Sequence, residues 1–327
     1  MATPFPPSTI KAYQYSSTKG GLDKNLEVNH SALLPKPKPD QHLIQVIAIA
    51  LNPVDYKPAE VPLVGQFIVP KPATPGIDFA GCIVTPATGL SLKRSQLVFG
   101  VAGTTPFAGG ALSEFTLAEK EGTVALPNSV DPIDAATISI AGLTAYQSIV
   151  PKVKKGDKVF INSGSGGTGV FGIQIAKALG CHVTTTCSTA NVELCRSLGA
   201  DDILDYKNKT IVKALKASKH KFDYVVDNVG ADLKLYWRCH KYTEPQAVYV
   251  MPAFLGGAKR KHMGFFAKLK YEELKQIRAW MKEGKVKAII DQRFPFEQAP
   301  KAFEKLKTGR AKGKIVVDVA SDTYGEA

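Results

Sequence analysis

Lys158-Val159-Phe160-Ile161-Asn162-Ser163-Gly164-Ser165-Gly166-Gly167-Thr168-Gly169-Val170 decides the fold of this 327-residue chain. The β-branched and aromatic run 158–162 reads as a buried parallel strand. Beyond the glycines, Val170, Ile173, Ile175, Ala176 and Leu179 recur at helical spacing as far as Gly180, a natural helix stop. Strand, glycine turn and helix form the opening unit of a dinucleotide-binding α/β fold. Glycines let the backbone turn sharply and approach a pyrophosphate, whose charge meets the positive end of the helix. Ser165, Gly166, Gly167, Thr168 and Gly169 are therefore candidate cofactor-binding residues. A glycine-rich hairpin matches the same letters, so the flanking strand and helix carry the inference.

The next strand, Cys181 to Thr186, ends about twenty residues past the glycines, where NAD-specific folds place Asp or Glu against the ribose 2′-hydroxyl. Cys187-Ser188-Thr189-Ala190-Asn191 stands there instead. Without that carboxylate a 2′-phosphate is not repelled, and Ser188 and Asn191 can hydrogen-bond one. The expected cofactor is NADPH, by permission more than by attraction, since no Arg or Lys lies in the stretch. Tyr206 either closes over the adenosine side or covers the sheet edge.

At 44% hydrophobic and 22% charged residues, the chain can bury a large core and divide into two domains. No apolar run approaches the roughly 20 residues of a bilayer span, and Leu43 to Leu51 has strand length. The first residues lack a basic-then-apolar signal pattern. Cys82, Cys181, Cys187, Cys195 and Cys239 are scattered, as free thiols in a reducing compartment would be. A cytoplasmic location is expected. Residues 1–130 carry 10 Lys and Arg against 9 Asp and Glu, and the remainder 32 against 20. The densest basic cluster, Lys259-Arg260-Lys261-His262, is expected on a loop. No aromatic-interleaved motif accompanies it, so nucleic acid is not an expected partner. A peripheral membrane contact stays open, and the plainer reading is a solvated surface that steers a phosphorylated cofactor.

Short apolar runs punctuated by Pro and Gly over residues 8–130 indicate a mostly β domain. A helical stretch from Asp131 to Val150 then leads into strand–helix alternation to about residue 284. Strands are expected at 158–162, 181–186, 222–227 and 247–251, and helices at 192–198 and 271–283. Ile289 to Asp291, a helix at 299–306 and Lys314 to Val317 look like a return to the first domain. The expected division is 1–130, 131–284 and 285–327.

Several segments now stand in a specific order: Leu51-Asn52-Pro53-Val54-Asp55-Tyr56-Lys57, Pro75-Gly76-Ile77-Asp78-Phe79-Ala80-Gly81, Gly109 to Phe115, Ala141-Gly142-Leu143-Thr144-Ala145-Tyr146, the glycine turn, Leu198-Gly199-Ala200-Asp201 and Gly313-Lys314-Ile315-Val316. Together they resemble the medium-chain dehydrogenase/reductase superfamily along the whole chain, and within it the zinc-free quinone oxidoreductase branch. Chloroplast-envelope quinone oxidoreductase homologues and enone reductases share the NPVD-aromatic-Lys segment. The resemblance implies a Rossmann cofactor domain beside a GroES-like catalytic domain, with hydride transfer to an enone or quinone in the interdomain cleft, in a monomer or homodimer. It also admits a trans-acting enoyl reductase of polyketide synthesis. An NADPH-binding protein with little catalysis, acting on nucleic acid or membrane, remains the reading from another class. One departure is Lys93 to Gly100, where the family commonly has Gly-Asp before the Val; a tight turn would have to be rebuilt there.

Zinc-dependent members of the superfamily take ligands from a Cys-x-x-Asp-x-His and a Gly-His-Glu segment. Here Asn52, Asp55 and Lys57, then Gly76, Ile77 and Asp78, hold those positions, and the structural four-cysteine loop is missing. Asn, Ile and Lys replace thiolate and imidazole poorly, so no metal is expected. The six histidines show no sequence clustering. Something else must then stabilise the charge that develops on the carbonyl oxygen. The resemblance makes Lys57 the candidate donor, Asn52 the group that orients substrate or carboxamide, and Tyr56 an alternative donor or a packing residue. In family terms Thr144 and Gly230 line the nicotinamide. Asn228 and Met251, at the carboxyl ends of predicted strands, belong at the same edge.

Overall fold

The computed structural model describes residues 6–63, 65–103, 110–208, 210–251, 261–263 and 267–320. Its strands, in chain order, are β1 Thr9–Gln14, β2 Glu27–Leu33, β3 Gln41–Leu51, β4 Asp78–Thr85, β5 Leu97–Ala102, β6 Phe115–Ala125, β7 Lys158–Asn162, β8 His182–Cys187, β9 Asp202–Asp205, β10 Phe222–Asp227, β11 Thr243–Val250, β12 Lys261–Met263, β13 Ile290–Pro295 and β14 Lys314–Asp318. Packing divides the chain into a first unit of residues 1–140, 269–282 and 288–327, and a second of 141–268 and 283–287.

The second unit is a parallel sheet in the order β12-β11-β10-β7-β8-β9. Strands covered on both faces read as unbroken apolar runs, and Val159, Phe160, Ile161 and Val225 are fully buried. The chain runs β7, β8, β9 in one direction and β10, β11, β12 in the other. The strand order therefore reverses between β7 and β10, and ligands of open α/β sheets bind outside the strand ends at such a point. The expected strands at 158–162 and 222–227 are found with those bounds, and the other two are displaced or lengthened by a few residues. One expectation fails. Lys261–Met263 is not loop but the edge strand of this sheet, parallel to β11. Three residues are too few to show a period, which hid the strand, and Lys259 and Arg260 lie outside the described residues.

In the first unit β3 is the centre. Its eleven residues are almost wholly buried; β4 lines one of its edges, while β6 at residues 41–45 and β14 at residues 48–51 share the other. The ladder β3-β4-β5-β6 closes back on β3 while β13 and β14 extend it, so the last segment returns to the first unit as expected. Phe79, Ile44, Val46 and Phe303 fill its core. The turn before β5 is indeed rebuilt: Ser95 adopts φ 64°, the left-handed region that glycine enters freely, and its N–H bonds Ile83 O at 2.8 Å.

The division differs from the expected one at two helices. Pro132–Ala136, capped by Asp131, packs on β3, β4 and β5, and Tyr271–Lys282 packs on β6. Both belong to the first unit. The second buries Leu274, Ile277, Trp280 and Met281; its amphipathic spacing demanded a partner surface without saying which. No helix among the described residues is long and apolar enough to cross a membrane. All five cysteines are buried free thiols.

Candidate functional site

The glycine turn joins β7 to the helix Gly169–Ala178 in the second unit. A Cβ on Gly164 would stand 2.1 Å from Thr185 Oγ1, and one on Gly169 2.0 Å from Ser163 O, so neither position accepts a side chain. Ser165 lies just inside, its Oγ accepting from Asn191 Nδ2 at 3.0 Å. Two of the expected cofactor residues are thus brought together across 26 positions. Asn191 Oδ1 and Asn228 Oδ1 are buried with no hydrogen-bond partner among the described residues. A turn stripped of side chains at a helix N-terminus, with buried polar atoms left unsatisfied, fits a bound dinucleotide.

Asp227, which the sequence reading passed over, organises the strand ends. It is 1% exposed. Its Oδ1 accepts from Asn162 Nδ2 at 2.7 Å and from the N–H groups of Val229 and Gly230 at 3.1 Å. Its Oδ2 accepts from Tyr249 OH at 2.8 Å. Asn162 Oδ1 in turn accepts from Thr186 Oγ1 at 2.6 Å. One chain of hydrogen bonds therefore ties β8, β7, β10 and β11 at their carboxyl ends and sets the backbone of 228–230. The available signal was an acidic residue ending a parallel strand at the switch point. Gly230, at φ 66°, lies against Met251, whose Sδ would be 3.1 Å from an added Cβ. Met251 itself is buried. Thr144 is half-buried on the helix Ser139–Ile149, its carbonyl accepting from Ser148 Oγ at 2.6 Å.

Ser188 follows β8 directly and is half-buried. Thr189 beside it donates to Asp205 Oδ2 at 2.6 Å, and that hydroxyl leads the contacts holding the Asp205 carboxyl below its usual range. A carboxylate absent from the sequence stretch is thus supplied by β9, next to Ser188. Lys207 offsets it, its N–H on Asp205 Oδ1 at 2.9 Å and its ammonium 5.9 Å from the Tyr206 ring centre. Tyr206, directly after the edge strand β9, is 51% exposed.

The first unit gathers Asn52, Asp55, Asp78 and Lys314, all buried. Asn52 Nδ2 donates to Asp78 Oδ2 at 2.9 Å and to Ala50 O at 3.2 Å. Lys314 Nζ donates to Asn52 Oδ1 at 2.5 Å, to Leu51 O at 3.1 Å and to Asp78 Oδ2 at 3.3 Å. Asp55 Oδ2 accepts the Asn52 N–H at 2.6 Å, and its Oδ1 has no partner among the described residues. Both polar atoms of the Asn52 side chain are thus held by groups of the first unit. Tyr56 is half-buried against the core with the Lys307 ammonium 5.6 Å from its ring centre, and burial raises its hydroxyl pKa. It reads as a packing residue. Lys57 is exposed and makes no side-chain ion pair among the described residues.

Two carboxylates share one ammonium here. Burial pushes Asp55 up to about 7, and the Asp78 charge adds to the shift, while the Asn52 N–H and Lys314 oppose it. Burial raises Asp78 as well, against the pull of Lys314. The donor set does not fit a catalytic zinc, because an ammonium already occupies its centre and would repel a dication. A folded-state pKa above the unfolded one means that the native protein holds the extra proton. The stabilising contribution of Asp55 is then complete below about pH 4 and lost as the pH rises through about 7. Asp55→Asn cannot ionise, and its first unit should lose less thermal stability than the parent between about pH 5 and 8. Parallel melting profiles for the two proteins would refute this.

Comparison with known proteins agrees with this architecture. Residues 38–128 match the alcohol dehydrogenase GroES-like domain, and residues 198–317 match the zinc-binding dehydrogenase family. The trans-enoyl reductase pgmF of Aspergillus terreus is 46% identical over 96% of this chain and 97% of its own length. The chain belongs to the medium-chain dehydrogenase/reductase superfamily. Another member, the chloroplastic NADPH-dependent alkenal/one oxidoreductase of Arabidopsis thaliana, is 32% identical over 95% of this chain and 80% of its own. The quinone oxidoreductase of Coxiella burnetii superposes with a TM-score of 0.83 at 27% identity, covering 95% of this chain and 99% of that one. Oxidoreductases of this superfamily use a nicotinamide cofactor.

Proposed function

We propose that this protein uses NADPH to reduce the carbon–carbon double bond of α,β-unsaturated carbonyl compounds, without metal at the reaction centre. The observation that carries the reading is Lys57, the cation of the Asn52–Lys57 segment, whose side chain is exposed and makes no ion pair among the described residues while Asn52 and Asp55 are tied down. NADPH, when bound, would be the source of the hydride that the β-carbon accepts. Lys57 stabilises the charge that then develops on the carbonyl oxygen, and water protonates the α-carbon. The glycine turn and the N-terminus of the helix Gly169–Ala178 hold the pyrophosphate. Ser188 faces the 2′-phosphate, and Asn228, Gly230, Met251 and Thr144 serve the nicotinamide end. Buried free thiols agree with a cytoplasmic location.

A second reading, a trans-acting enoyl reductase that receives its enoyl group as a carrier-bound thioester, is favoured by the 46% identity to pgmF. Cofactor oxidation measured with a simple enone, a quinone and an enoyl pantetheine thioester separates the two. Turnover of the enone, undiminished by a chelator, supports the first; turnover confined to the thioester supports the second. No turnover of any of the three, in protein that binds NADPH, refutes both. Ser188→Asp should cost NADPH roughly tenfold in affinity through like-charge repulsion and leave NADH little changed. Equal affinity of the parent for both cofactors, by fluorescence titration, would count against the preference.

A further inference from the structure

The second unit carries a cluster that the reductase chemistry leaves unused. His182 opens β8, Asp202 opens β9, and His220 lies two residues before β10. All three stand at the amino ends of the parallel strands, at the opposite edge from the glycine turn and the Asp227 network. Thr184 pairs with Asp202 across the ladder, and His182, two residues earlier, shares the face of Thr184. His182 Nε2 lies 2.8 Å from Asp202 Oδ2, and the rings of His182 and His220 meet edge-on with centres 5.0 Å apart. One potential ligand atom from each residue falls within 4.8 Å of the other two.

We propose that His182, Asp202 and His220 form a binding site for a divalent transition-metal ion of the zinc, cobalt and nickel class. Imidazole with one carboxylate is a donor set these ions accept. The second observation is His220 Nε2, a buried ring nitrogen with no hydrogen-bond partner among the described residues. A buried imidazole left unsatisfied is costly, and a metal would relieve it. The ring is held by edge contact with Phe222, centres 5.3 Å apart.

An outer layer is present too. His182 Nδ1 is 3.8 Å from Asp201 Oδ2, which is itself anchored by Lys177 Nζ at 2.8 Å and by the Val183 N–H at 2.7 Å. Such carboxylates orient ligating histidines and raise their basicity. The cluster opens on a cleft of about 1000 Å³ lined also by Thr184, Asn208, Thr210 and Lys213, from which water completes the coordination. On a tetrahedral ion, ligand atoms about 2 Å from the metal stand roughly 3.3 Å apart. Exposed Asp202 has to back away from His182 slightly, and His220 has to close in. The ion would join β8, β9 and the segment leading into β10, as a staple and not as part of hydride transfer.

The test uses untagged full-length protein stripped with a chelator and then titrated with Zn²⁺ alone by calorimetry. One Zn²⁺ per chain is expected, with affinity falling roughly tenfold or more in both His220→Ala and Asp202→Asn and unchanged in His30→Ala. Added Zn²⁺ should raise the melting temperature of the parent and not that of His220→Ala. Should the variants fail to fold, Co²⁺ added to the parent decides: visible d–d bands saturating at one equivalent support the site. Absence of saturable binding at one ion per chain, or binding that persists in both variants, reduces the cluster to a His–Asp hydrogen bond and overturns the proposal.

Discussion

Lys57→Met is expected to lower kcat for the best enone by roughly 10²–10³, with a much smaller change in KM. The asymmetry follows from where the charge is. A neutral enone offers an ammonium only a dipole, whereas the enolate offers a full negative charge, so the contact strengthens along the reaction coordinate. Because Lys57 is exposed and forms no side-chain ion pair among the described residues, its removal leaves no buried partner uncompensated. Thermal stability should therefore hold. Met keeps most of the side-chain volume and removes the charge alone. A folded, NADPH-binding Lys57→Met enzyme that turns over at the parent rate ends this assignment, and ordered water becomes the donor.

Lys314→Met should do the reverse, with stability as its first casualty. The ammonium is 3% exposed and bonds Asn52, Leu51 O and Asp78. Removing one partner from a buried ion pair costs about 3–5 kcal/mol, because the remaining charge is stranded. Asp78, fully buried, would keep the Asn52 amide and the Ile140 N–H at 2.8 Å, and would be driven to take a proton. Asp78→Asn combined with Lys314→Met should recover part of the loss, since the stranded charge is gone. Additive losses in urea unfolding of the two single variants and the double variant would show that the pair is not coupled. The unfolding should be followed by a probe in the first unit, because two units need not melt together.

The second unit was readable because its signals are local. A strand, a glycine turn and a helix lie within about twenty residues, and Gly164 and Gly169 are required by contacts with Ser163 inside that span and with Thr185 on the next strand. β12 escaped because three residues cannot display a period. The helix Tyr271–Lys282 showed its apolar stripe plainly, yet a stripe does not name the surface that covers it, and alternation with strands pointed to the wrong sheet. The hydrogen bonds of Asn52 escaped for a related reason. Its segment was recognised, but its partner Lys314 lies 262 positions away, and nothing in the segment reveals that contact. His182 and His220 are likewise separated by 38 residues and meet only because β8 and β10 are both neighbours of β7.

The place of β14 beside β3 governs the order in which a ribosome can deliver this molecule. β3 emerges early, with apolar residues along nearly its whole length, and the carboxyl half of one edge, residues 48–51, finds no partner until residues 314–318 have been made. The cofactor unit, apart from 283–287, is complete well before that moment. Nascent chains therefore carry a finished nucleotide fold next to an open-edged sheet, and unpaired edges of that kind recruit other strands. Any truncation that stops short of Lys314 should leave that stretch of edge permanently bare, and such fragments belong in the insoluble fraction even when they retain every residue of the glycine turn.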